Sequence, residues 1–128
     1  MSKLIYPATF EKDEDAILVL FPDLPEAITS GTDTKHAYEM AEEVLGLVLE
    51  DKKELPVPST IEEVQKKYPS KAVVLVGVDL LEYKKKYNNK RVKKNTSIPE
   101  WLNDLAEQQH INFSQTLTEA LKLKLGIK

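Results

Sequence analysis

Lys93, Asn95 and Ser97 alternate along one short stretch of the chain. In an extended backbone successive side chains point to opposite faces, so these three share one face, with Lys94, Thr96 and Ile98 on the other. An ammonium, an amide and a hydroxyl are groups that hydrogen-bond base edges and phosphates. Lys90 and Arg91 stand just before them as phosphate contacts. Ser114 and Gln115 open a later helical stretch, where Ser114 can cap and free N–H groups can seat a further phosphate. The chemistry implied is recognition of a duplex rather than bond-making.

Metal-assisted hydrolysis would need several carboxylates converging on divalent ions. The acids near strand ends are Asp13, Glu14, Asp15, Asp23 and Asp33, and the first three fall together in a turn. Neither apolar run, AILVLF at 16–21 or VVLVGV at 73–78, contains an acid. His36 and His110 are the two histidines, each near a helix end and far from any cysteine or second histidine. They read as surface or capping residues rather than ligands or bases. No enzyme, cofactor or metal is expected. Tyr83 and Tyr87, set among lysines, could stack on bases but read as anchors, and Trp101 belongs to a helical stripe.

Those polar groups need a scaffold, and Val92 to Gly126 is too short to provide one alone. About 35 residues cannot close a core without a staple or a partner, and there is no cysteine. The segment reads as a strand followed by two helices. Pro99 suits the first helical position, where a missing N–H costs nothing. Trp101, Leu102, Leu105 and Ala106 line one side of the first helix. Ile111, Asn112 and Phe113 form the turn, and Leu117, Ala120, Leu121 and Leu125 form the second stripe before Gly126 stops it. A second copy is the remaining way to bury these faces. The expectation is a ribbon-helix-helix module whose paired strands enter the major groove. Its dimer core would be Thr96, Ile98, Trp101, Leu102, Leu105, Leu117 and Leu121.

The preceding part reads as a separate α+β domain. Lys3 to Phe10 is a strand in which Pro7 marks an edge strand or sits on an outward-facing edge, and a charged turn joins it to Ala16–Phe21. A third short strand falls near Ala27 to Ser30. Thr32 or Asp33 then caps a long helix, where Ala37, Met40, Ala41, Val44, Leu45, Val48 and Leu49 recur at three- and four-residue steps. Thr60 to Tyr68 opens as a capping box with Glu63, and Lys71 to Leu80 is a returning strand. The two apolar runs predict strands covered on both faces. The order is βββαβ, with domain boundaries at 1–82, a basic linker at 83–91 and the module at 92–128.

The stretch YPATFEKDEDAILVLFPDLPEAITSGTDTKHAYEMAEEVLGLVLE, with the VVLVGVDL strand and IPEWLNDLAEQQ…FSQTLTEAL, resembles the HicB antitoxin family. The likeness covers nearly the whole chain. Its most specific part is the order Tyr6-Pro7, Phe21-Pro22-Asp23-Leu24-Pro25, Thr29, Gly31, Thr34, Ala37 and Ala41. The resemblance implies an N-terminal partial ribonuclease-H-like domain without nuclease activity. It implies that this domain binds a HicA-type toxin, a small mRNA-cleaving ribonuclease. It further implies that the C-terminal module binds operator DNA of the chain's own operon.

Charge divides the chain in the same way. Residues 1–83 hold eight basic against seventeen acidic groups, a balance of −9, and residues 84–128 hold ten against four, or +6. Seven of those ten lie in KKKYNNKRVKK at 84–94, which has no acid. A basic segment beside an acidic domain predicts two kinds of partner, one of them a polyanion. Asp13, Asp15 and Asp23 are candidate toxin contacts. No apolar run approaches the 18 or more residues that cross a bilayer and the start lacks a signal-peptide pattern, so a cytoplasmic homodimer or higher oligomer without membrane contact is expected. Two other readings stay open: a stand-alone transcriptional repressor with an N-terminal sensing domain, and a weak RNA-binding or nuclease protein.

Overall fold

A computed structural model describes residues 3–127. The chain separates into two compact units, Met1–Lys90 and Arg91–Lys128.

In the first unit, β1 (Leu4–Asp13) and β2 (Ala16–Leu20) form a hairpin. Glu14 takes the left-handed conformation, φ 52°, in its two-residue turn. β3 (Ile28–Gly31) and β4 (Ala72–Val78) complete a four-stranded sheet of order β3-β2-β1-β4, with every neighbouring pair antiparallel. β1 is therefore an inner strand, not the edge that Pro7 suggested. Proline is tolerated there because β2 pairs with β1 only from Thr9 onward, leaving Pro7 flanked by β4 alone. Opposite Pro7, the Leu75 carbonyl accepts the Tyr38 hydroxyl at 3.4 Å instead of a strand N–H. Proline has no N–H to give the ladder, and the Tyr38 hydroxyl supplies the donor at Leu75 in its place.

The helix α1 (Thr34–Glu50) begins at Asp33, whose Oδ1 accepts the His36 N–H at 2.8 Å. Ala37, Ala41, Leu45 and Leu49 recur every fourth residue and are buried on the sheet. They meet Tyr6, Ala8, Phe10, Val19, Phe21 and Val76 in one core. Gly31 lets the first turn of α1 sit directly on β3, since a Cβ there would meet the Ala37 backbone closer than 3.0 Å. The opposite side of the sheet is less covered than two buried strands would require. Val76 is buried, but its neighbour Leu75 is 45% exposed and Ile5 on β1 is 48% exposed.

Two further helices are capped at their starts, of which only the first was expected. α2 (Ile61–Lys67) has the capping box: Thr60 Oγ1 accepts the Glu63 N–H at 3.1 Å, and Glu63 Oε1 accepts the Thr60 N–H at 3.0 Å. α3 (Leu80–Tyr87) corrects the linker reading of 83–91, because the first five of those residues are helical. Asp79 Oδ1 caps α3 by accepting the N–H groups of Leu81 and Glu82. Tyr83 is only 8% exposed and lies on Gly46 of α1, where a Cβ would meet three ring atoms closer than 3.0 Å. The Asn88 amide donates to Glu50, tying the end of α3 to the end of α1.

The second unit contains α4 (Glu100–Gln108) and α5 (Phe113–Leu125). Pro99 stands one place before α4 rather than at its first position. Asn112, not Ser114, caps α5: its Oδ1 accepts the Gln115 N–H at 3.0 Å, and Ser114 lies inside the first turn. Both residue types cap well, and the earlier one captures the helix start. Gly126, at φ 72°, ends α5 in a Schellman arrangement, with the Ile127 N–H on Lys122 O at 2.8 Å.

Candidate nucleic-acid interface

Lys93, Asn95 and Ser97 lie in a segment, residues 88–99, that forms neither helix nor strand within the single chain. The strand expected over Lys93–Ile98 is thus not made here. A strand needs a neighbour to bond with, and this segment has none among the described residues. All of its side chains from Lys90 to Ile98 are exposed.

Arg91, Ser114 and Gln115 come together. They line one shallow concavity at the start of α5 with Asn112, Thr118, Glu119 and Lys122, so a carboxylate shares the opening with the two cations. Lys90 lies in the neighbouring unit by contact grouping. Two cations and a helix N-terminus around a common opening are what phosphate binding requires. Gln115 spends its backbone N–H on Asn112, and its side-chain amide donates to Glu119 at 3.2 Å. Its contribution to an anion would thus need a change of partner.

The expected dimer core is uncovered. No residue of α4 or α5 is buried. Ile98, Trp101, Leu102, Leu105, Leu117 and Leu121 are all exposed, Trp101 to 65%. Thr96 is exposed beside them. Single exposed apolar residues are ordinary, but here several recur along both helices.

The acids of the first unit divide by role. Asp13 and Asp15 are exposed at the β1–β2 turn. Asp23 serves the fold: its two oxygens accept the Ser59 N–H at 2.9 Å and the Ser59 hydroxyl at 2.6 Å, pinning the approach to α2. The Tyr6 hydroxyl holds the same segment by donating to Pro56 O at 2.6 Å. Burial raises the Tyr6 pKa above its ordinary value, and the Asp23 charge adds to this. Burial likewise raises that of Tyr83, reinforced by Glu50 and Glu43. The helix α3, missed in the sequence, brings Asp79 and Glu82 beside Glu39, Glu42 and Glu43 of α1 around one cleft. The capping residue Asp79 was the signal that could have revealed it. His36 accepts the Thr32 N–H at Nδ1, 2.9 Å away, and His110 ends α4 at φ 55°. Among the described residues no three His, Cys, Asp or Glu side chains converge as a metal site would, and no helix is long and apolar enough to cross a membrane.

Residues 6–121 match the family described as the HicB-like antitoxin of bacterial toxin-antitoxin systems. The chain belongs to that family. It is 45% identical over 65 residues to Antitoxin HicB 2 of Photorhabdus laumondii subsp. laumondii, a match spanning 47% of each chain. The chain thus spans about half the length of that curated relative. It is also similar to a chain of a toxin–antitoxin complex from Streptococcus pneumoniae, at 30% identity and TM-score 0.56, covering 96% of this chain and 99% of that one. The crystallised N-terminal domain of the Burkholderia pseudomallei antitoxin HicB matches 60% of this chain and 100% of its own, at 25% identity and TM-score 0.52. The family membership makes this an antitoxin-type chain with a mixed α+β fold.

Proposed function

We propose that the chain binds and occludes a HicA-type, mRNA-cleaving toxin through its first unit and represses its own operon through its second. The observation that carries this reading is the end-to-end likeness to a chain of a toxin–antitoxin complex, which takes in both units. The first unit would act as a partial ribonuclease-H-like scaffold used for binding alone. Its observed order, βββααβα, keeps the three-strand start, the long helix and the returning strand of that expectation and adds α2 and α3. Its acidic surface suits a partner whose RNA-handling face is basic, by charge complementarity and by covering the site. Asp13, Asp15 and Asp23 are the candidate contacts, the first two being free of the fold's own hydrogen bonds among the described residues.

The second unit would be a ribbon-helix-helix dimer. The exposed stripes of α4 and α5 support this, as does a polar, extended stretch that lacks a strand partner. Lys93, Asn95 and Ser97 from two copies would read base edges in the major groove. Lys90, Arg91 and the Ser114–Gln115 end of α5 would hold the flanking phosphates. The chain would work in the cytoplasm, where both its mRNA-cleaving partner and its operator reside.

Co-purification with the product of the adjacent small basic reading frame, and rescue of growth when the two are expressed together, test the first half. Absence of both defeats it. For the second half, Asn95→Ala should relax sequence preference on DNA from the chain's own promoter, while Arg91→Ala should weaken all duplexes alike. Operator binding unaffected by either change would defeat the DNA assignment. A ligand that raises the melting temperature with no toxin present would favour the stand-alone repressor instead.

A further inference from the structure

We propose that the last turn of α3 is a second DNA-contacting element, with the ammonium groups of Lys84 and Lys85 set against phosphates outside the stretch read by the ribbon. The inference rests on the reading of the second unit as an operator-binding dimer.

Three observations lead to it. First, these lysines are not on a loose tether. Asp79 caps α3 with two hydrogen bonds, Tyr83 is buried on Gly46, and Asn88 is bonded to Glu50. The helix is part of the first unit and carries its basic turn as a fixed feature. Second, the chain leaves that unit at this end. Only residues 88–92 separate α3 from Lys93, the first base-reading residue. Six residue steps reach at most about 20 Å from Tyr87 to Lys93. The tether therefore bounds how far the end of α3 can lie from a ribbon seated in the groove. The major groove is about 12 Å wide, so the flanking phosphate lines fall inside that reach.

Third, the electrostatics need it. The first 83 residues carry a balance of −9, and a duplex carries one negative charge per roughly 1.7 Å. An acidic body on so short a leash is repelled unless the side nearest the DNA is basic. Lys84 and Lys85, in the helical turn that adjoins the tether, are the groups that would make it so. Lys86 is otherwise engaged, lining the acidic cleft and lying 5.2 Å from the Tyr87 ring centroid. Lys85 pairs with Glu82 at 3.3 Å, with both side chains exposed. An exposed pair of this kind contributes little, so Lys85 can exchange that carboxylate for a phosphate.

The test uses the full-length chain and a duplex taken from upstream of its own reading frame. Fluorescence anisotropy would follow binding between 50 and 200 mM salt for wild type and the Lys84→Gln/Lys85→Gln variant. Gln has nearly the helix propensity of Lys, and an unchanged melting curve would show that the first unit still folds. The slope of log K against log salt should fall in magnitude by at least about 1.8, which corresponds to one phosphate lost per subunit. The preference for this duplex over an unrelated one should stay as it was. A smaller change in slope, in a wild type that does bind, overturns this inference alone. A wild type that binds no duplex removes the operator-binding reading and this inference with it.

Discussion

If the second unit pairs as proposed, replacing Leu121 by Glu should convert the dimer to a monomer. Leu121 is 51% exposed in the middle of the α5 stripe. Roughly half a leucine's surface is about 100 Å², and at about 25 cal/mol/Å² its burial contributes about 2.5 kcal/mol per subunit. A two-fold interface contains every residue twice, so the dimer loses about 5 kcal/mol. That corresponds to a dissociation constant weaker by between about 10³ and 10⁴. The added carboxylate would have to be desolvated in the interface, which pushes in the same direction. Sedimentation velocity over a concentration series measures the constant directly, and circular dichroism reports whether α4 and α5 persist. A variant within tenfold of wild type would mean that the stripe is not the interface. A wild type that stays monomeric and fully helical at high micromolar concentration would refute the reasoning at its root, because the second unit would then be stable with its apolar side in water.

Asp23→Ala removes both bonds to Ser59 and should lower first-unit stability by about 1–3 kcal/mol in urea; a change below about 0.5 kcal/mol would show that the segment before α2 is held by other contacts. Gly46→Ala would stabilise an exposed helix by about 1 kcal/mol, but here its Cβ overlaps the Tyr83 ring. The expected result is faster hydrogen exchange across Lys84–Asn88, and unchanged exchange would argue that α3 is not docked. Tyr6 and Tyr83 both have raised pKa values in the fold. The unfolded chain therefore releases those protons first, and the stability they contribute is whole below about pH 10 and falls as pH rises past it. Urea midpoints should decline above that pH, less so in a Tyr6→Phe variant.

What could be read from the sequence was whatever is bonded to near neighbours. α1 is legible because Ala37, Ala41, Leu45 and Leu49 recur at four-residue steps within a 17-residue helix, and α2 because Thr60 and Glu63 bond each other across three. Where a bond comes from far along the chain, the reading fails. LLEYKKKY looks like a charge run, and what makes it a docked helix is one tyrosine landing on Gly46, 37 residues earlier in the chain. Pro7 looks like an edge marker because the sequence does not show that β2 stops pairing at Thr9, nor that Tyr38 supplies the proton Leu75 lacks. The choice between Asn112 and Ser114 as cap is a contest between two good candidates two residues apart, which local preference cannot decide. Lys93 to Ile98 is the extreme of the same series. Its alternating pattern is strand-like, yet one chain contains nothing for it to pair with, so the element exists only if a second molecule provides its hydrogen bonds. On the proposed reading the base-reading surface and the dimer form together, so where the dimer dissociates the DNA-competent species should vary with the square of the free monomer concentration, and a titration linear in monomer would count against it.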